Sequence, residues 1–124
     1  MRFLMMVKHA EIQAAPPKEL VDAMVKAGEE AAKSGTMVAS GGLAPTAAST
    51  RVRVSNGRVT VIDGPFTEAK EIVGGFAMFD LKSKEEAVES AVQFMELHNK
   101  YWPGWEGETE IRQVFTMENS AAKG

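Results

Sequence analysis

Two alternating runs, Thr50-Arg51-Val52-Arg53-Val54-Ser55 and Arg58-Val59-Thr60-Val61-Ile62, flank the dipeptide Asn56-Gly57. A type I′ turn needs positive φ at both central residues, and Asn followed by Gly accepts that geometry most readily. The pair therefore sets a two-residue β-hairpin in the middle of the chain. Its register follows: Ser55 opposes Arg58, Val54 opposes Val59, and Val52 opposes Val61. Side chains alternate across a strand, so the four valines line one face and Arg51, Arg53, Arg58 and Thr60 line the other. One further residue of strand brings Asp63 onto the valine face.

The flanking segments repeat one pattern on each side of this hairpin. Arg2–Lys8 reads as a strand with Phe3, Met5 and Val7 on one face and Leu4 and Met6 on the other, apolar on both sides as a central strand would be. Pro16-Pro17 then sets up a helix from Lys18 to Lys33, with Leu20, Met24, Ala27 and Ala31 on one stripe and Gly35 just past its end. Thr36–Ser40 is a short second strand. After the hairpin, Gly75–Leu81 is a strand apolar on both faces, and Ser83-Lys84-Glu85-Glu86 forms a capping box. The helix behind it shows Val88, Ala91, Val92 and Met95 on one stripe and stops at Pro103-Gly104. Glu110–Met117 is the last strand.

The order β-α-β, hairpin, β-α-β predicts a ferredoxin-like α+β domain, with two helices on one face of the sheet. The other face is apolar and uncovered, which a sheet-against-sheet homodimer would resolve. Residues 1–117 are expected to form one domain and 118–124 a flexible C-terminal tail.

Composition narrows the classes of function. The chain has 124 residues, no cysteine and a formal net charge of −3. Thiol chemistry, disulfides and cysteine-held metals are excluded. Mild acidity argues against a nucleic-acid partner. The longest N-terminal apolar run, Phe3 to Val7, is short for a signal sequence or a membrane span, so a cytoplasmic protein without membrane contact is expected. No cofactor or metal is expected: the two histidines are far apart in the sequence, and no phosphate-cradling glycine loop occurs.

Asp63-Gly64-Pro65-Phe66-Thr67-Glu68-Ala69-Lys70-Glu71, followed by Gly74-Gly75-Phe76, closely resembles the signature of the DGPF branch of the YCII-related proteins. The likeness extends to Gly42-Leu43, Pro45, Arg51-Val52-Arg53 and Glu110-Ile111-Arg112-Gln113-Val114-Phe115. It implies a ferredoxin-like fold assembled as a dimeric α+β barrel, and no established activity. Members of that branch often look like companions of extracytoplasmic-function sigma factors. Some relatives in the wider group look like dehydrochlorinases or isomerases that use a His–Asp pair, with the His on the first helix. Lys18–Lys33 contains no histidine, so that residue cannot be carried over.

Asp63 is the first candidate for chemistry. Aimed at the valines, its carboxyl would sit in an apolar setting and could serve as acid or base; before a glycine, it could equally cap a turn. Phe66 would supply an apolar wall. Glu68, Lys70 and Glu71 would make a polar rim, with Lys70 or an arginine holding an anionic ligand, or form a solvated loop. His9 shares the parity of Phe3, Met5 and Val7, so it could look into a barrel lumen and pair with Asp63 as a catalytic residue, or be a solvated or hydrogen-bonded histidine at a strand terminus. His98 reads as structural, a cation at a helix C-terminus. Trp102-Pro103-Gly104-Trp105 reads as an aromatic clamp, a dimer anchor or a loop packed on its own helix. Three functions stay open: a small-molecule-binding or regulatory homodimer, an acid–base isomerase or lyase using Asp63, and an interaction module for a sigma factor.

Overall fold

The structure, a computed structural model, describes residues 1–12 and 14–117. Its elements run β1 (Arg2–His9), α1 (Lys18–Lys33), β2 (Met37–Gly42), a 3-10 turn (Thr46–Ala48), β3 (Thr50–Ser55), β4 (Arg58–Asp63), β5 (Ile72–Asp80), α2 (Lys84–Tyr101) and β6 (Glu108–Gln113). Four strands form one antiparallel sheet in the order β2-β5-β1-β6, and β3-β4 form a separate two-stranded sheet. β1 is the central strand its two apolar faces predict. In each β-α-β unit another strand lies between the two that the helix connects, which gives the split ferredoxin-like order. The expected tail at 118–124 lies outside the described residues.

Both helices cover the same face. Phe3 and Met5 of β1 are buried against Ala87 and Ala91 of α2, with Phe79, Leu81 and Ile111 packed around them. Phe79 is the partner of both Phe3 and Met37, and the Met37 methyl closes over Gly28 of α1. α1 starts at Pro17, buries Leu20 completely and half-buries Met24, Ala27 and Ala31, the stripe read from the sequence. Gly35, at φ +77°, ends it, with the Thr36 amide donating to the Ala31 carbonyl. Replacing the Leu20 side chain by a methyl should cost about 2–5 kcal/mol, read from denaturant melts.

Several details differ from the sequence reading. β5 begins at Ile72, because a bulge after Val7 lets Lys8 and His9 pair with Val73 and Ile72. β6 ends at Gln113, which pairs with Phe3 near the start of β1, so almost no partner strand is left beyond it. α2 is rotated from the expected stripe: Ala91 is buried and Met95 half-buried as expected, but Ala87 and His98 are buried with them, while Val88 and Val92 face out. Its cap also differs in detail. The Glu86 amide donates to Ser83 as a capping box requires, but the Glu86 carboxylate reaches the Lys82 amide.

The hairpin follows its predicted register, with Asn56 at φ +53° and Gly57 at φ +73°. Asp63 opposes Thr50, on the same face as Val52, Val54, Val59 and Val61. That face is open: the four valines are between 68% and 75% exposed.

Candidate functional site

The signature loop is held where three segments meet. Thr46, buried at the start of the 3-10 turn, donates its amide to Glu11 Oε2 at 2.7 Å and its hydroxyl to Glu11 Oε1. The same hydroxyl accepts from the Phe66 amide at 3.3 Å. The Gly64 amide donates to the Ser49 carbonyl at 2.8 Å, and its Cα lies so close to Thr46 that a Cβ would collide with the Thr46 carbonyl oxygen. Asp63 Oδ1 accepts from the Thr50 hydroxyl at 2.9 Å, closing the open end of the hairpin. Asp63 is thus exposed and tied across the hairpin to Thr50. Burial against the valines, on which its acid–base reading rests, does not occur among the described residues of one chain, where the valines stand exposed.

Hydrogen bonds from the Thr46 hydroxyl, then from its amide, hold the Glu11 carboxyl below the usual carboxylate range. A carboxylate with a lowered folded pKa contributes stability that is present above its unfolded pKa and lost as pH falls through the folded one. Glu11→Gln should therefore destabilise at pH 7 and show a shallower loss of stability on acidification below the ordinary glutamate pKa. Denaturant melts across that range test it, and an unchanged acid limb would remove Glu11 from this role.

Phe66 is buried beneath Arg51, whose guanidinium carbon stands 3.7 Å from the ring centroid. Arg51 Nη1 also donates to Glu68 Oε1 at 2.7 Å. The Glu68 carboxyl is held low by its own backbone amide first and by Arg51 second. Phe66 and Glu68 are thus joined through Arg51. Lys70 is exposed and stands apart from these contacts.

Glu71 turns to the open face of the sheet. There Leu4 and Met6 of β1 stand beside Met78 and Phe76 of β5, opposite to the helices. At one end of this apolar surface Lys8 lies 3.3 Å from Glu71 and 3.0 Å from Glu110, with Arg112 3.8 Å from Glu110. Hydrogen bonds to Glu110 and then Glu71 raise the Lys8 pKa, so its ammonium stays charged. An apolar wall bordered by a few fixed charges suits a small organic molecule.

His9 is on the other side. The Phe3–Met5 face is the one the helices cover, so the lumen expected for His9 is replaced by an aromatic cluster. Its ring lies 6.0 Å from Trp105, which packs 4.6 Å from His98. His9 also closes over Gly74, where a Cβ would meet its imidazole. The Trp102–Trp105 segment therefore packs on its own helix. His98 is buried, its Nδ1 donating to the Phe94 carbonyl at 3.0 Å. Desolvation pushes its pKa down, so it is a neutral core residue and not the helix-end cation read from the sequence.

A histidine with a lowered folded pKa contributes stability that is complete above its unfolded value, about 6.5, and is lost as pH falls below it. Melting temperature should drop between pH 7 and pH 5, and His98→Phe should flatten that part of the profile. An identical slope in the variant would exclude His98 as the cause.

Asp63 and His9 share no hydrogen bond or ion pair. The structure instead brings together residues that sequence reasoning left out: Glu11 with Thr46, and Lys8 with Glu110. Both contacts bridge long sequence separations, and neither pair has a local spacing signal. Among the described residues, no cluster of three or more His, Asp or Glu side chains could hold a metal ion. No helix among them is long and apolar enough to cross a membrane.

The YCII-related domain matches residues 1–101, from β1 through the end of α2. An uncharacterized protein of Rhizobium meliloti (strain 1021) is 45% identical over 49 residues, a stretch that is 40% of this chain and 40% of that protein. The likeness thus spans well under half of either protein.

Proposed function

The chain belongs to the YCII-related domain family, and from that premise we propose that it is a DGPF-type homodimer with a small-molecule-binding or regulatory role. The observation that supports this is the open sheet face. Leu4, Met6, Phe76 and Met78 are only half-buried in one chain, and both helices lie on the opposite side. Two such faces brought together would enclose an apolar space, with Lys8, Glu71 and Glu110 at its border to orient a ligand's polar group.

Sedimentation should find a dimer, and Met6→Glu should give a folded monomer with unchanged circular dichroism. A thermal-shift screen of small aromatic and anionic metabolites should then find a stabiliser of the wild type that fails on the variant. A wild type that stays monomeric at high concentration, or a screen without any stabiliser, would end this reading.

A second reading, acid–base catalysis by Asp63, draws on its place among the four valines. If the assembled protein covers that face, the carboxyl gains the apolar setting that proton transfer needs. Asp63→Asn would then abolish turnover of the bound molecule while leaving the dimer intact; retained turnover would remove Asp63 from catalysis. His9, seated with Trp105, would need a separate route to the same ligand.

A further inference from the structure

Among the described residues, strands β3 and β4 pair only with each other. An isolated two-stranded ribbon is marginal in water, and this one carries four exposed valines on a single face. It needs a cover.

A matching surface lies at the far edge of the main sheet. β6 ends the strand order, and among the described residues no strand pairs with its outer side. Between β6 and α2 runs a groove of about 400 Å³ lined mainly by Val88, Ala91, Val92, Met95 and Ile111. Val88 and Val92 are exposed although apolar. Thr109 also lines the groove.

Parity and charge agree on how the two surfaces meet. Ile111 faces the helices, while Glu108, Glu110 and Arg112 alternate onto the open face, with Arg112 3.8 Å from Glu110. A ribbon added beside β6 with its valines toward α2 puts its arginine face on the side of those two glutamates. Arg53 and Arg58 are exposed on that face. The ribbon strands and β6 are each six residues long.

The ribbon of the same chain is badly placed to reach this edge. It is tethered to β2 and β5, and β2 lies at the opposite edge of the sheet, three strand spacings or about 14 Å from β6. A second copy carries the same ribbon and the same edge. Reciprocal exchange about a two-fold axis therefore covers both ribbons and both edges at once.

Resting on the dimeric reading, we infer that the β3–β4 ribbon of each copy adds to the outer edge of β6 in its partner, with Val52, Val54, Val59 and Val61 packed over the α2 groove.

The absence of cysteine from the chain gives a direct test. Val54→Cys and Val92→Cys chains, carrying different tags, are co-expressed and treated with a short bis-maleimide. A cross-linked heterodimer should form, with no cross-linked homodimer from either variant alone. Independently, Val54→Lys should weaken dimerisation in sedimentation about tenfold or more, with circular dichroism unchanged because the residue is exposed in the single chain. Cross-linking of Val54→Cys chains to each other without the mixed product would mean that ribbons stack face to face, and would overturn the inference. A wild-type dimer that gives no mixed product would overturn it too, leaving the groove to another occupant and the dimeric reading standing. A monomeric wild type would sink both.

Discussion

Gly64→Ala is expected to destabilise the protein by about 3 kcal/mol or more, through steric exclusion alone. Gly64 does not have positive φ, so backbone conformation is not the obstacle. The obstacle is space. A Cβ there would collide with the Thr46 carbonyl oxygen and lie 2.9 Å from the Thr46 carbonyl carbon and 3.3 Å from the Ser49 carbonyl oxygen. All three are backbone atoms, which cannot swing aside as the tip of a long side chain can. The loop would have to move away from Thr46. That movement strains the Gly64–Ser49 hydrogen bond and the bond from the Phe66 amide to the Thr46 hydroxyl. Gly42→Ala is the natural control: nothing lies within 4 Å of a Cβ there and its φ is not positive, so it should fall within about 0.5 kcal/mol of wild type. Equal denaturation midpoints and slopes for the two variants would mean that the loop is looser than this packing implies.

The glycine of the signature motif was conspicuous in the sequence, but its reason was not. Local signals made the hairpin legible: Asn56-Gly57 sets its turn and alternation sets its faces, without help from the rest of the chain. The α1 stripe was legible for the same reason. α2 was less so, because helical spacing allows two neighbouring stripes, and valines weigh more than alanines in a reading by hydrophobicity. Packing chose Ala87 and Ala91, small enough to let the helix approach Phe3 and Met5.

The candidate site shows the same division. The parity that puts Asp63 with the valines is as read, yet parity does not say whether a face is covered, and in one chain it is open. For His9, parity with Phe3 and Met5 names a strand face but not the layer above it, which is α2 and Trp105. Glu11–Thr46 and Lys8–Glu110 join residues that only the fold brings together. Periodicity has no purchase on such contacts.

Phe66→Ala should have the other large effect, a loss of about 3–5 kcal/mol. The ring is 6% exposed, in a loop with little other apolar burial. Truncation removes its transfer energy and leaves a cavity that the Thr46 contact keeps from collapsing. It also takes away the ring under the Arg51 guanidinium, leaving that cation anchored by Glu68 alone. Phe66→Leu keeps most of the volume and should cost far less, about 1–2 kcal/mol. The pair of variants separates two roles for one residue. If the ring chiefly holds the loop, stability falls steeply for Ala and mildly for Leu, and any ligand that stabilises the wild type binds Phe66→Leu about as well. If the ring is a ligand wall, Phe66→Leu stays nearly as stable as wild type but loses ligand affinity, because flat stacking cannot be replaced by a branched aliphatic chain. A Phe66→Ala variant that melts within about 1 kcal/mol of wild type would deny the ring its structural role. Its burial beneath Arg51 favours the first outcome, in which the most distinctive segment of the sequence is a clamp between the hairpin and the main sheet.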